Sequence, residues 1–322
     1  MLKWLNRKIA FQWILFLGLL AFAVYTIVTQ TQVANGQGAP FLYQSFADFF
    51  SAYEFLGKGI ILAILLFQIT FLQYYAIKNE FAAKNSLLPV CFYLAILLLT
   101  KSLITISPLF FTLMFFLIMI SINYSASSVK LKNSVFWTGL LIAFATCFDL
   151  SSLILIALVV ATLLINQFFK IKEIGILLFG FTLPYFYFFS YHLLTDNYCE
   201  WIATFHQIKI LGIFNKEIFS RTLILIALIF LGILYTYFII RSRLISESKI
   251  VIQRKKNITL NIYAALMVVC LFISNTTYPY ILGYLFVPLS IYLATLSKER
   301  NPLYINELTT IITFATLIVL WL

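Results

Sequence analysis

Three aspartates, Asp48, Asp149 and Asp196, and two histidines, His192 and His206, are the chain's scarcest acid–base groups. A carboxylate takes a proton from a hydroxyl held within about 3 Å of it. An imidazole does the same work, because its unperturbed pKa lies near neutrality. Cations such as Arg221, Lys101 and Lys58 suit a phosphate leaving group, arginine through two parallel hydrogen bonds. Asp48 and His206 are therefore the candidate catalytic residues. Asp149, Asp196, Arg221 and Lys101 are the candidate substrate-binding residues.

Other chemistries lack their sequence patterns. CxxC, HExxH and histidine clusters are absent, so no dedicated metal cage is encoded. Neither GxxxxGK[ST] nor GxGxxG occurs, which leaves ATP hydrolysis and dinucleotide binding without support. No cofactor is expected, the acids leaving room for a divalent cation at most. Cys91, Cys147 and Cys270 fall in apolar runs and Cys199 alone in a connector, so no structural disulfide is expected.

The elements that position these groups follow from composition. The 322 residues are 63% hydrophobic and 10% charged, with 34 Phe, far from the balance of a soluble domain. Apolar runs of about twenty residues recur, the length that crosses about 30 Å of hydrocarbon. With no water in that layer, only helices or a closed barrel satisfy the backbone. The runs are continuously apolar rather than alternating, so the fold class is all-α: a polytopic helical integral membrane protein, one transmembrane domain over 1–322.

About eleven spans are predicted: Ile9–Thr29, Gly59–Ile77, Leu87–Thr100, Leu103–Ile122, Ser134–Phe148, Leu150–Phe169, Ile174–Leu194, Thr222–Ile240, Ile258–Ser274, Tyr280–Leu296 and Leu303–Leu322. Basic residues are retained on the cytoplasmic side during insertion. A cytoplasmic N-terminus leaves only Lys58, Lys101, Lys209, Lys216 and Arg221 of the 22 Lys and Arg outside. That orientation sends every aspartate and both histidines to the outer face. The basic start and its long apolar run read as an anchor, since Gln32 at minus three from Ala34 makes a poor cleavage site.

The net charge of +11 is accounted for by these retention signals. The basic cytoplasmic loop 241–257 is also suited to anionic lipid headgroups. No nucleic-acid-binding module is present.

Two outer loops are long enough to hold a site, 30–58 and 195–221. In the first, PFLYQSFADFFSAYEFLGKG reads as one interfacial helix, with Pro40 at its start and Gly57 and Gly59 at its end. Leu42, Phe46, Phe49, Phe50, Tyr53 and Leu56 share its apolar face, and Gln44, Asp48 and Ser51 the other. The second holds Asp196, Glu200, His206, Lys209, Lys216, Glu217 and Arg221, with Trp201, Ile202, Phe205, Ile208 and Leu211 at helical spacing. The plain alternative for that loop is a solvated connector with aromatic anchors. Asp149 lies between two apolar runs, where a carboxylate either caps the next helix or lines a cavity.

The segments SPLFFTLMFFLIMISI, VFWTGLLIAFATCFDLSSLILIALVVATLLI and KIKEIGILLFGFTLPYFYFFSYHLLTD resemble a poorly characterised bacterial family of polytopic inner-membrane proteins. That family is similar in layout to membrane-embedded glycosyltransferases of the GT-C type, which use lipid-linked sugars, and to polysaccharide polymerases. The resemblance covers the middle half of the chain. It implies an acidic residue in the first outer loop, matched by Asp48, and a polyprenyl-phosphate-linked glycan as substrate. The chain departs from those enzymes in having no D-x-D motif and no expected large extracytoplasmic domain after the spans. Two other readings stand beside it. One is a non-catalytic scaffold or assembly partner, bound to lipids and other membrane proteins. The other is a transporter, although the ionisable residues sit at span ends rather than at the midplane.

Overall fold

The computed structural model describes residues 9–33, 41–83, 85–100, 102–125, 131–195, 236, 240, 255, 257–266 and 283–297. Among these the protein is all-helical, apart from one two-residue parallel pairing. The helices are α1 (Ile9–Gln30), α2 (Phe41–Ala52), α3 (Glu54–Lys78), α4 (Leu88–Leu99), α5 (Pro108–Ser125), α6 (Leu131–Phe148), α7 (Ile154–Ile165), α8 (Ile171–Leu194) and α9 (Gly283–Ser297). A single 3-10 turn, Leu150–Leu153, precedes α7. β1 (Gln32–Val33) pairs with β2 (Thr105–Ile106).

Four helices, α1, α3, α6 and α8, are long and apolar enough to cross a membrane. The chain is therefore a helical membrane protein. The 12 residues of α4 cover only about 18 Å at 1.5 Å per residue, too short to cross hydrocarbon upright. Of the last four expected spans, only 257–266 and α9 contribute more than isolated described residues.

Local chemistry sets the helix ends. Pro108 opens α5, where its missing N–H costs nothing, so the span expected from Leu103 starts five residues later. Residues 103–107 instead leave the helix to pair with the segment after α1. α3 ends with Glu80 at φ 61, the N–H of Phe81 bonding Ala76 O at 2.9 Å and that of Glu80 bonding Ile77 O at 3.0 Å. α7 ends the same way at Gln167, also at φ 61, with Phe168 N to Leu163 O at 2.9 Å. Both are left-handed caps that satisfy carbonyls otherwise orphaned at the helix end.

α1, α3, α4 and α5 run in alternate directions, so the bundle has two chemically distinct ends. At one, Lys58 near the start of α3 donates to Val28 O near the end of α1 at 2.8 Å. At the other, the Gln12 side chain of α1 accepts from Leu87 N, just before α4, at 2.8 Å. Gln73, late in α3, donates to Ser86 O at 2.6 Å at this same end. Between the ends, Gln68 donates to Phe110 O at 2.7 Å and accepts from Tyr93 at 2.8 Å. Phe116 of α5 stacks on Tyr263 at 3.9 Å, and Tyr292 of α9 bonds Asn261, which seats 257–266 in the core.

The tightest helix pair is α6 with α8. A Cβ on Gly139 would lie 2.3 Å from Leu177 O, and one on Gly180 would lie 2.4 Å from Phe136 O. Two turns beyond Gly139 on α6, Thr146 meets Tyr185, two turns beyond Leu177 on α8, at 2.5 Å. The two helices thus run parallel, with α7 between them in the chain. Small residues allow such close backbone approach between apolar helices. Replacing Gly139 or Gly180 by leucine should lower stability by about 1–3 kcal/mol through overpacking, read by thermal unfolding in detergent. Gly18→Ala, where nothing stands within 4 Å of a new Cβ, should not destabilise.

Candidate functional site

The Lys58 end is built from short connectors locked onto one another. Thr31 donates its hydroxyl to Leu103 O at 2.7 Å, and Gln32 N bonds Ile104 O at 2.7 Å. These bonds and the pairing of Gln32 with Thr105 and Val33 with Ile106 fix the stretch between α4 and α5. Tyr43, fully buried, donates to Ile106 O at 2.8 Å and so pins α2 to that stretch. Lys58 bonds Glu54 at 2.6 Å as well as Val28 O. Its ammonium thus ties α3 to α1 and is already engaged.

α2 lies across the start of α5 and the end of α6. Phe46 packs edge-on to Phe111 with centroids 4.6 Å apart, and Phe111 stacks on Phe148 at 5.0 Å with planes 10° apart. The inward face therefore consists of Tyr43, Phe46 and Phe50. Tyr43 joins this face from outside the apolar stripe of the wheel, whereas Tyr53 and Leu56, which the wheel puts on that stripe, lie beyond the end of the helix at Ala52 and are exposed. Gly57 does not end the helix; it lies in α3, where the Phe50 ring fills the space a Cβ would need. Asp48 is exposed on the opposite face of α2, with Ser51 bonding its main-chain carbonyl at 2.7 Å.

Asp149 follows Phe148 directly and is only 3% exposed. Its main-chain carbonyl accepts from Ser152 N at 3.1 Å and from the Ser152 hydroxyl at 2.7 Å. It occupies the capping position of the 3-10 turn rather than the start of a continuous helix, since α7 begins only at Ile154. Asp48 and Asp149 are thus on opposite sides of the aromatic face of α2. They are not brought together.

One group at this end escaped the sequence reading as a site residue. His192 of α8 is 8% exposed and stands edge-on to Tyr191 at 5.6 Å. The packed residues of α8 are Glu173, Leu177, Gly180, Pro184 and His192. The spacing of these five marks one stripe facing α6, and it was available in the sequence. Glu173 closes the stripe at the opposite end, buried, with no hydrogen-bond partner for Oε2 among the described residues. Tyr185 is also within hydrogen-bond reach of Cys147.

Lys101, Asp196, His206 and Arg221 lie outside the described residues, as do the loop 196–221 and nearly all of 241–257. No group of three His, Cys, Asp or Glu residues that could hold a metal ion occurs among the described residues. No family model, curated protein or solved structure matches the chain.

The Tyr43 bond makes the shelf testable. Tyr43→Phe should leave the Ile106 carbonyl without its donor and cost about 1 kcal/mol, read as a lower midpoint in thermal unfolding. Phe46→Ala should cost more, about 3 kcal/mol, by emptying the space on Phe111.

Proposed function

We propose that this chain is a multi-pass protein of a bacterial inner membrane that acts on a polyprenyl-phosphate-linked sugar at the outer face. In this reading the N-terminus is cytoplasmic and about eleven spans cross the bilayer. The Lys58 end then faces outward. The observation that supports the reading is the build of that end: an aromatic helix packed on the bundle through Tyr43 and Phe46, with Asp48 exposed on its other side. An aromatic face seated on apolar helices with a polar face outward is what interfacial chemistry on a lipid-linked substrate requires.

The reaction would be a displacement at the anomeric carbon. Asp48 takes the proton of an acceptor hydroxyl as that oxygen attacks, and the carbon–oxygen bond to phosphate breaks with its electron pair leaving on the phosphate. Arg221 and Lys101 are the cations that would hold the departing phosphate. His206 is the alternative base, and Asp149 and Asp196 would hold sugar hydroxyls.

Deletion of the gene should lower an envelope glycan, and Asp48→Asn, at normal membrane abundance, should reproduce that loss. A glycan profile lost on deletion but normal in the Asn variant would remove Asp48 and favour a non-catalytic assembly partner. A profile unchanged on deletion would end the glycan reading altogether.

A further inference from the structure

We infer that His192 and Asp149 line one polar site at the outer end of the α6–α8 seam, and that this site holds sugar hydroxyls of the lipid-linked glycan proposed above, away from the bond at which Asp48 acts. The juxtaposition comes from the parallel register of the two helices. Thr146 and Tyr185 meet at 2.5 Å and mark equal heights on α6 and α8. Asp149 lies about 4.5 Å further along its helix and His192 about 10 Å further along its own, at 1.5 Å per residue. The two side chains lean the same way along parallel helices, so an offset of about 6 Å remains between them, a gap that one ligand can span.

Facing direction agrees with height. His192 is seven residues beyond Tyr185, two turns, so it shares the face that Tyr185 turns toward α6. Asp149 is one turn beyond Thr146, on the side of α6 that Thr146 turns toward α8. Both residues are more than nine-tenths buried, beyond the level at which Thr146 and Tyr185 meet.

The ligand class follows from the donors and acceptors. A carboxylate accepts from hydroxyls, an imidazole donates and accepts, and tyrosine and threonine hydroxyls do both. The described residues supply no third metal ligand here. The sugar identity rests on the proposed function; the pairing of the two residues does not.

Two experiments separate those claims. In a variant whose 4 cysteines are replaced by alanine, Asp149→Cys with His192→Cys should be joined by a bifunctional thiol reagent spanning about 10 Å, because an axial offset of about 6 Å exceeds direct disulfide reach. Asp149→Cys with Phe179→Cys, which is 64% exposed on another face of α8, should not. Failure of the first pair, or equal cross-linking of both, overturns the pairing. Asp149→Asn and His192→Gln should each lower glycan product at least tenfold, the order expected for losing a charged hydrogen bond, with the unfolding midpoint of His192→Gln close to wild type. Wild-type product in both variants, or product loss that only follows lost stability, overturns the binding role. If deletion of the gene leaves glycans unchanged, the sugar fails with the proposed function, while the cross-link result stands on its own.

Discussion

Hydrocarbon supplies no hydrogen-bond partner, so every polar group in this bundle must be satisfied by the chain itself or placed at an end. Most hydroxyls in the packed region turn back onto their own helix: Thr26 to Ala23 O at 2.7 Å, Thr138 to Val135 O at 2.7 Å, Thr162 to Val159 O at 2.7 Å and Ser290 to Val287 O at 2.8 Å. Gln68, the polar group deepest in α3, is held on both sides, by a carbonyl of α5 and a phenol of α4. Charged side chains keep to the ends, as Lys58 with Glu54 does at one and Lys78 over the Tyr74 ring at the other. The same constraint that orders the interior therefore concentrates reactive groups at the caps.

Where the sequence constrains the fold through hydrophobic length, its reading and the structure agree closely. Ile9–Thr29 is observed as Ile9–Gln30, Ser134–Phe148 as Leu131–Phe148 and Ile174–Leu194 as Ile171–Leu194. Differences arise where a short-range signal competes with hydropathy. Pro108 moves the start of α5, and Leu150–Phe169 divides into a 3-10 turn and a short α7. The break at Tyr53 separates α2 from α3, and across it the Phe50 ring packs against Gly57.

The candidate site was less accessible to sequence reasoning, for a physical reason. Asp48 and Asp149 stand out by type and rarity, and the exposure of Asp48 follows from the wheel of α2. Tyr43 finds its partner 63 residues away, through a bond no spacing rule predicts. The importance of His192 depends on the relative register of α6 and α8, which is set by the glycines at 139 and 180. Once that register is known, a histidine that hydropathy places at a helix end becomes part of a wall shared with Asp149.

The central claim is that the end carrying Asp48, Lys58 and Asp149 faces away from the cytoplasm. A single cysteine at exposed position 48, and separately at exposed position 80 at the opposite end, can be probed with a membrane-impermeant thiol reagent in an otherwise cysteine-free chain. The account predicts that Asp48→Cys reacts in intact cells and that Glu80→Cys reacts only after permeabilisation. The reverse pattern would contradict it.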